Sequence, residues 1–258
     1  ARLGPGRTIG RDVQVFQETA STNDVVEKLA RDDVREGIVV FAESQTRGRG
    51  RLGRQWISPS GKGLWFSVLL RPQLPPSAAT QLTVVSAVAV ARGIERHTGL
   101  KPDIKWPNDI VFGTRKVAGI LLELGAELDH IRHVVLGIGI DVNLTSEEMP
   151  EDLQSIATSL RIEGGRTFDR ADLAATVLSE LDTAYARLRR GDFHEISDEW
   201  MRRCSTLGQR VMIRMADRVI IGRAESLNED GALLVRTDHG RLEHIIGGDV
   251  SLAKGPTP

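Results

Sequence analysis

Cysteine is nearly absent. The 258-residue chain holds one, Cys204, so no disulfide can form within it. An excess of either charge is missing as well: 34 basic residues face 35 acidic ones, for a formal net charge of −1. That balance excludes a general electrostatic affinity for nucleic acid or anionic membrane and leaves room only for a local basic patch. The longest apolar run, near residues 83–91, is too short to span a bilayer, and no positively charged start leads into an apolar signal segment. The chain reads as cytoplasmic. It begins with Ala rather than Met, which leaves open whether residues are missing upstream. Its six histidines show no metal-ligand spacing. Internal repeats and low-complexity tracts are lacking. Two phosphate-binding signatures are missing too. Gly61-Lys62-Gly63 is followed by Leu64 where a Walker loop needs Ser or Thr, and Gly137-Ile138-Gly139-Ile140-Asp141-Val142 ends without the third glycine or the helix start of a dinucleotide fingerprint.

What is present is a 40% hydrophobic chain with 26 glycines, enough for a sizeable core in one large domain or in a large and a small one. Residues 13–17 alternate as a strand does, and Ser21-Thr22-Asn23-Asp24 offers N-caps for a helix carrying Val25, Val26 and Leu29. Short apolar strands are expected at 38–42 and 64–70. Pro75-Pro76-Ser77 opens a helix apolar on all sides, which places it in the core, and Gly99 closes it. Strands at 103–106, 109–112, 116–124 and 130–140 follow, so one sheet with helices packed on it is the natural solution. Asp169 caps a helix with Leu173, Val177, Leu181, Tyr185 and Leu188 near helical spacing, and a shorter helix covers 193–203. Beyond Leu207 come short strands at 211–215, 218–226, 233–236 and 242–246, with Asn/Asp/Gly turns between them. This pattern places a boundary near Ser205, with a small barrel-like β unit after it.

The segment 45–56 is the most unusual. Four arginines and three glycines fall within residues 47–54, so backbone can approach a ligand closely while guanidinium forks surround it. Such forks suit carboxylates and phosphates. Without an anion the four charges repel one another, which predicts disorder. By itself the segment is equally a solvated loop, and an Arg/Gly nucleic-acid arm is a third reading. Lys105-Trp106-Pro107-Asn108-Asp109 then sets a polar pair between apolar strands. Lys116-Val117-Ala118-Gly119-Ile120 opens a buried strand with a point charge and leaves room beside it at Gly119, although a hairpin with a snorkelling lysine would look the same. Residues 137–143 end the next strand in glycines and polar groups.

Ser21-Thr22-Asn23, the 48–54 loop with Trp56, the two lysine motifs and the glycine-rich strand end, in this order over roughly residues 10–145, resemble the biotin protein ligase family. The resemblance implies an α+β fold: a class II synthetase-like mixed β-sheet with helices on one face over residues 1–205, related to lipoate ligases, and an SH3-like barrel over 206–258. It implies an enzyme that makes biotinyl-5'-AMP from biotin and MgATP and transfers biotin to one lysine of a biotin carboxyl carrier protein. Biotin would contact Ser21, Thr22, Asn23, Gln45, Gly48, Arg49, Gly50, Arg51, Lys116 and Gly119. The nucleotide would contact Arg49, Arg51, Arg54, Trp56, Asn108, Lys116 and Asp141. Catalysis would fall to Lys116, Arg51 and Arg49, with the ligands of Mg2+ left open.

About twenty residues precede Ser21, so the winged-helix domain of repressor-type members, and operator binding, are not expected. Relatives form homodimers through a sheet edge, and the sequence leaves the oligomeric state open. Two positions depart from the pattern: Asp141 stands where many members carry Asn, and Arg47 where a small residue is common. A lipoate or octanoate ligase of the same fold and a non-catalytic biotin-binding protein are the alternatives. Cys204 lies far in sequence from every motif and reads as structural rather than as a thioester nucleophile.

Overall fold

A computed structural model describes residues 6–32, 34–127 and 130–253. Residues 1–5 and 254–258, the outer ends of the two expected segments, lie outside that range. The alternating stretch near the start forms β1 (Val13–Thr19), and the polar run after it opens α1 (Thr22–Arg31). Ser21 sits at the N-cap position, but its hydroxyl accepts no bond from the helix. Losing a side-chain cap costs about 1 kcal/mol. Here Ser21, Thr22 and Asn23 are buried and line a cavity instead.

β2 (Val39–Gln45) pairs parallel with β1, so α1 is a crossover helix. β3 (Gly63–Leu70) is buried at every position. A 3-10 turn at Pro76–Ala78 leads into α2 (Ala79–Thr98), which stops at Gly99 with φ of 79°. By length and apolarity this helix could cross a membrane, but it lies in the core, most of it buried. β4 (Asp103–Lys105), β5 (Asp109–Phe112), β6 (Arg115–Ala126) and β7 (Ile131–Asp141) follow as antiparallel strands. The seven-stranded order is β1-β2-β3-β7-β6-β5-β4, a mixed sheet. α3 (Leu160–Gly164) had no sequence counterpart, whereas α4 (Arg170–Arg189), capped by Asp169 on the Asp172 amide, and α5 (Phe193–Arg203) match expectation.

Period-two alternation gives this sheet two different faces. Phe66, Val68, Leu70, Leu136, Ile138 and Ile140 join α2, α4 and α5 in one large apolar core. Leu69 and Val135 point the other way and join Val26 and Ala30 of α1 in a smaller one. The one-faced arrangement implied by the resemblance therefore holds for α2, α4 and α5 and not for α1. A crossover between neighbouring parallel strands has to cover one face of the sheet, and this one covers the face that carries the cavity.

The C-terminal unit is a five-stranded antiparallel sheet: β8 (Arg210–Arg214), β9 (Val219–Leu227), β10 (Leu233–Thr237), β11 (Leu242–Ile245) and β12 (Asp249–Leu252), in the order β11-β10-β9-β8-β12. The SH3-like character expected of it is consistent with this sheet, although among the described residues no β11–β12 pairing closes a barrel. β12 was not foreseen. The unit joins the large sheet through a shared core, through the Trp106 amide donating to Thr206 Oγ1 at 3.1 Å, and through an Arg54–Asp249 ion pair at 2.7 Å.

Candidate active site

A cavity of about 410 Å3 opens on the α1 face of the large sheet, within the usual range for small-molecule sites of roughly 300–1,000 Å3. Its floor follows from β7, where Gly137, Gly139 and Asp141 share one face at period two. Gly137 lies between Ser67 of β3 and Leu121 of β6, and Gly139 between Trp65 and Gly119. A Cβ at Gly137 would collide with the Asn23 amide, and one at Gly139 would sit 2.6 Å from the Trp56 indole. The glycines are what hold the floor open.

At one end is a hydrogen-bonded cluster of neutral side chains, closed on its outer side by the Glu123 carboxylate. The Thr22 amide donates to Gln45 Oε1 at 2.9 Å, and Gln45 Nε2 donates to Ser58 Oγ at 2.9 Å. Ser67 Oγ donates to Asn23 Oδ1 at 2.5 Å and lies 2.7 Å from Thr22 Oγ1. Asn23 Nδ2 donates to Glu123 Oε2 at 2.9 Å. Of these, Ser58, Ser67 and Glu123 were missed by sequence reasoning. Ser67 left a signal, as the one polar side chain in an otherwise apolar buried strand.

Trp56, expected beside an adenine, lies against Gly139 and Gly119 on the cavity wall, with Lys116 Nζ 5.0 Å from its ring centroid. Its Nε1 is buried and among the described residues has no hydrogen-bond partner. Lys116 pairs with Asp109 Oδ1 at 2.5 Å, and its backbone is pinned by bonds to Ile156 O and from the Thr158 amide.

The arginine loop takes a defined path rather than the expected disorder, because distant acids meet its charges. Arg49 bonds Asp24 at 2.8 Å and Glu123 at 3.2 Å, and Arg54 bonds Asp249. Asp24 first, then Glu123, hold the Arg49 guanidinium above its usual pKa. Arg51 donates to Asn108 Oδ1 at 3.2 Å while Asn108 Nδ2 donates to Ile120 O at 2.7 Å. Burial pushes the Arg51 pKa down, against the pull of Asp109 and Asp249. The backbone closes the loop through Gly50 N to Arg54 O and Trp56 N to Gly48 O. Arg49, Gly50, Arg51 and Arg54 line the cavity with Lys116, Gly119, Asn108 and Asp141, whereas Gly48 does not. A Cβ at Gly48 would strike the Trp56 carbonyl, so its part is the close approach of the loop's two limbs.

Also missed was a lid. Residues 144–157 run over Lys116 and bring Leu144, Met149, Pro150, Leu153 and Ile156 to the cavity, with Glu148 ion-paired to Lys62. Gly248, Asp249 and Val250 of the C-terminal unit line it too. Cys204 stays outside. Burial raises its thiol pKa, which leaves it a poor nucleophile.

Asp141 is buried on the cavity wall, where loss of solvent raises its carboxyl pKa well above the usual range and Lys116 only partly opposes the shift. A folded-state pKa above the unfolded value of about 3.9 means the native state holds the proton more tightly. The resulting stability is complete below that pH and is lost as pH rises toward the folded pKa. Asp141→Asn is therefore expected to gain melting temperature over the unaltered chain as pH is raised from 5 to 8, by about 2–4 °C per kcal/mol removed. Ligand-free thermal melts across that range check it. An equal difference at every pH would contradict the assignment.

Residues 15–141 match the Biotin/lipoate A/B protein ligase family and residues 206–253 the Biotin protein ligase C terminal domain. The chain is 38% identical to the bifunctional ligase/repressor BirA of Bacillus subtilis over 95% of its own length and 75% of that protein's. It is 31% identical to the biotin–[acetyl-CoA-carboxylase] ligase of Mycobacterium tuberculosis, over 93% of the chain and 88% of the relative. The biotin protein ligase of Aquifex aeolicus in complex with biotin and ATP superposes with a TM-score of 0.80 at 32% identity, covering 95% of this chain and all of that one. With its order of motifs, its glycine-floored cavity and these relatives, the chain belongs to the biotin protein ligase family.

Proposed function

We propose that the chain joins biotin to AMP and then to a lysine of a biotin carboxyl carrier domain. The observation that carries this reading is a single cavity lined by Lys116, Arg49 and Arg51 together with the hydrogen-bonded cluster and the lid, Arg49 reaching the cluster through Glu123 and Lys116 held against the lid at Ile156. The neutral end suits an uncharged polar ring such as biotin's ureido group, where an unmet hydrogen bond would be costly. The lid end, with Asn108, takes the nucleotide. Biotin's carboxylate oxygen attacks the α-phosphorus of ATP and pyrophosphate leaves, so two anions have to meet. The three cations offset their repulsion and stabilise charge on the transferring phosphoryl group. The orphaned Trp56 N–H, buried beside Lys116, is a further donor for that junction. The lid and the Trp56 wall keep water from the mixed anhydride. The carrier's lysine amine then attacks the acyl carbon, and AMP leaves.

Mg2+ enters with the triphosphate in this reading. Among the described residues no cluster of three or more His, Cys, Asp or Glu forms a ready cage. Mg2+ usually needs only one or two carboxylates beside phosphate oxygens. Asp141, buried and with no side-chain donor among the described residues, would supply one on losing its proton to the incoming cation, and the ion would shield phosphate charge. We read the protein as cytoplasmic, a compartment that supplies the ATP this chemistry consumes. We divide the chain near Ser205 into a catalytic and a C-terminal domain, and place a homodimer contact at the open edge of β1, where Val13 and Val15 are exposed.

Incubation with biotin, MgATP and a carrier domain is expected to add one biotin to the carrier by intact mass, with pyrophosphate release that depends on biotin. No biotin-dependent release would end this reading. Arg51→Gly should weaken retention of biotinyl-AMP more than its formation, because Arg51 braces Asn108 at the nucleotide end while Lys116 stays in place. Rapid filtration against single-turnover rates separates the two, and failure to form adenylate at all would reassign the loop.

A further inference from the structure

We infer that Glu123 is a positioning and specificity-determining residue: it fixes the direction of the hydrogen-bond chain that reads the ring of the acid substrate. This rests on the biotin reading above.

The chain has two ends whose polarity cannot invert. At one, the Thr22 backbone N–H can only donate, so the group facing it at 2.9 Å is the Gln45 carbonyl oxygen. At the other, the Glu123 carboxylate, ion-paired with Arg49 at 3.2 Å, can only accept, so the group facing it at 2.9 Å is the Asn23 NH2. Asn23 Oδ1 is thereby turned to Ser67, whose single hydroxyl proton is committed to it at 2.5 Å. Ser67 has no proton left for Thr22 Oγ1 at 2.7 Å, so the Thr22 hydroxyl donates to Ser67. Two consequences follow on the cavity wall, which both Thr22 and Asn23 line. The lone pairs of Thr22 Oγ1 receive no donor, and the second proton of Asn23 Nδ2 has no acceptor among the described residues. An acceptor and a donor on adjacent residues match the neighbouring N–H and C=O of a cyclic urea.

Glu123 also shows why this end is so fully constrained. Ser67 is wholly buried on the central strands, and Gly137 leaves room for the Asn23 amide with nothing to spare. Among the described residues no other group tells the oxygen of Asn23 from its nitrogen. With Gln at position 123 both ends of a new amide become available. Asn23 can then turn over and Ser67 can donate to Thr22, which frees the Thr22 proton to swing between the cavity and Gln45 Oε1, already within reach at 3.2 Å. The wall then presents the Asn23 oxygen where its N–H was, and at Thr22 a hydroxyl whose proton is no longer committed, so neither position keeps a fixed polarity.

The test uses the full chain with Glu123→Gln and Glu123→Asp. The substrates are biotin and its two cyclic carbamates, in which one or the other ring N–H is replaced by an ether oxygen. The unaltered chain is expected to prefer biotin over at least one carbamate by tenfold or more in kcat/KM for pyrophosphate release. Glu123→Gln should raise the biotin KM about tenfold or more with kcat within about threefold, and shrink the carbamate discrimination below threefold. Glu123→Asp keeps an acceptor-only group and should keep the discrimination, whatever its KM. Discrimination unchanged in Glu123→Gln, or lost equally in both variants, would overturn the proposal, as would a loss confined to kcat. Absence of biotin-dependent pyrophosphate release from the unaltered chain would instead strike the functional reading itself.

Discussion

Lys116→Gln is expected to slow biotin-dependent adenylate formation by about 10²–10³-fold, the loss typical of removing one preorganised donor from developing charge, while the biotin KM moves less than tenfold. Lys116 is held for this task from three directions. Asp109 fixes its ammonium at 2.5 Å, the Trp56 face lies 5.0 Å beneath it, and the lid grips its backbone at Ile156 and Thr158. A flexible lysine so restrained has lost its rotamer freedom before substrate arrives, so little reorganisation is left for the reaction itself. Gln fills most of the same volume and leaves the neutral ring end untouched, which is why KM should hold. Pyrophosphate release under saturating biotin and ATP measures the effect, with burst kinetics to separate adenylation from transfer. A loss below fivefold would move the charge-stabilising role to Arg49 and Arg51.

Much of this site was legible because its parts are short and local. A glycine at every second position of a strand, as at 137 and 139, says that one face must admit something, whatever it is. A lysine three residues before Gly119 and a polar pair at 108–109 carry similar local meaning. The fold was legible where periodicity was strong: α2, α4 and α5 end at or near the expected residues. What stayed hidden depends on long-range pairing or lacks a period. The loop's order rests on Asp24, Glu123 and Asp249, which come from α1, β6 and β12 and have no local mark as its partners. The lid was invisible because Met149, Leu153 and Ile156, though four and three residues apart as on a helix face, keep that spacing for only about two turns beside Pro150, and the segment forms turns rather than a helix. β12, two half-buried residues followed by two exposed ones, exists because β8 offers it an edge. Ser21 to Asn23 look like a helix cap to any local reading. Only the cavity shows that they serve elsewhere.

Gly139→Val should weaken biotin binding about a hundredfold with little loss of thermal stability, and the two halves of that expectation have one cause. β7 lies between β3 and β6, and a β-branched residue suits such a strand better than glycine does. The added Cβ, however, would lie 2.6 Å from the Trp56 indole, inside any allowed contact. Overpacking costs about 1–3 kcal/mol when nothing can give. In the ligand-free protein something can: Trp56 lines a cavity of about 410 Å3 and can shift into it, which spares the fold. That shift uses the space the substrate needs. It also disturbs the Trp56 amide bond to Gly48 that closes the arginine loop and the contact that holds Lys116 over the ring. A hundredfold change is about 2.7 kcal/mol, within the cost of that displacement. Calorimetric titration with biotin beside a thermal melt of the same sample tests both halves. Native-like binding with a lowered melting temperature would show that Gly139 serves the packing of the sheet and not the substrate.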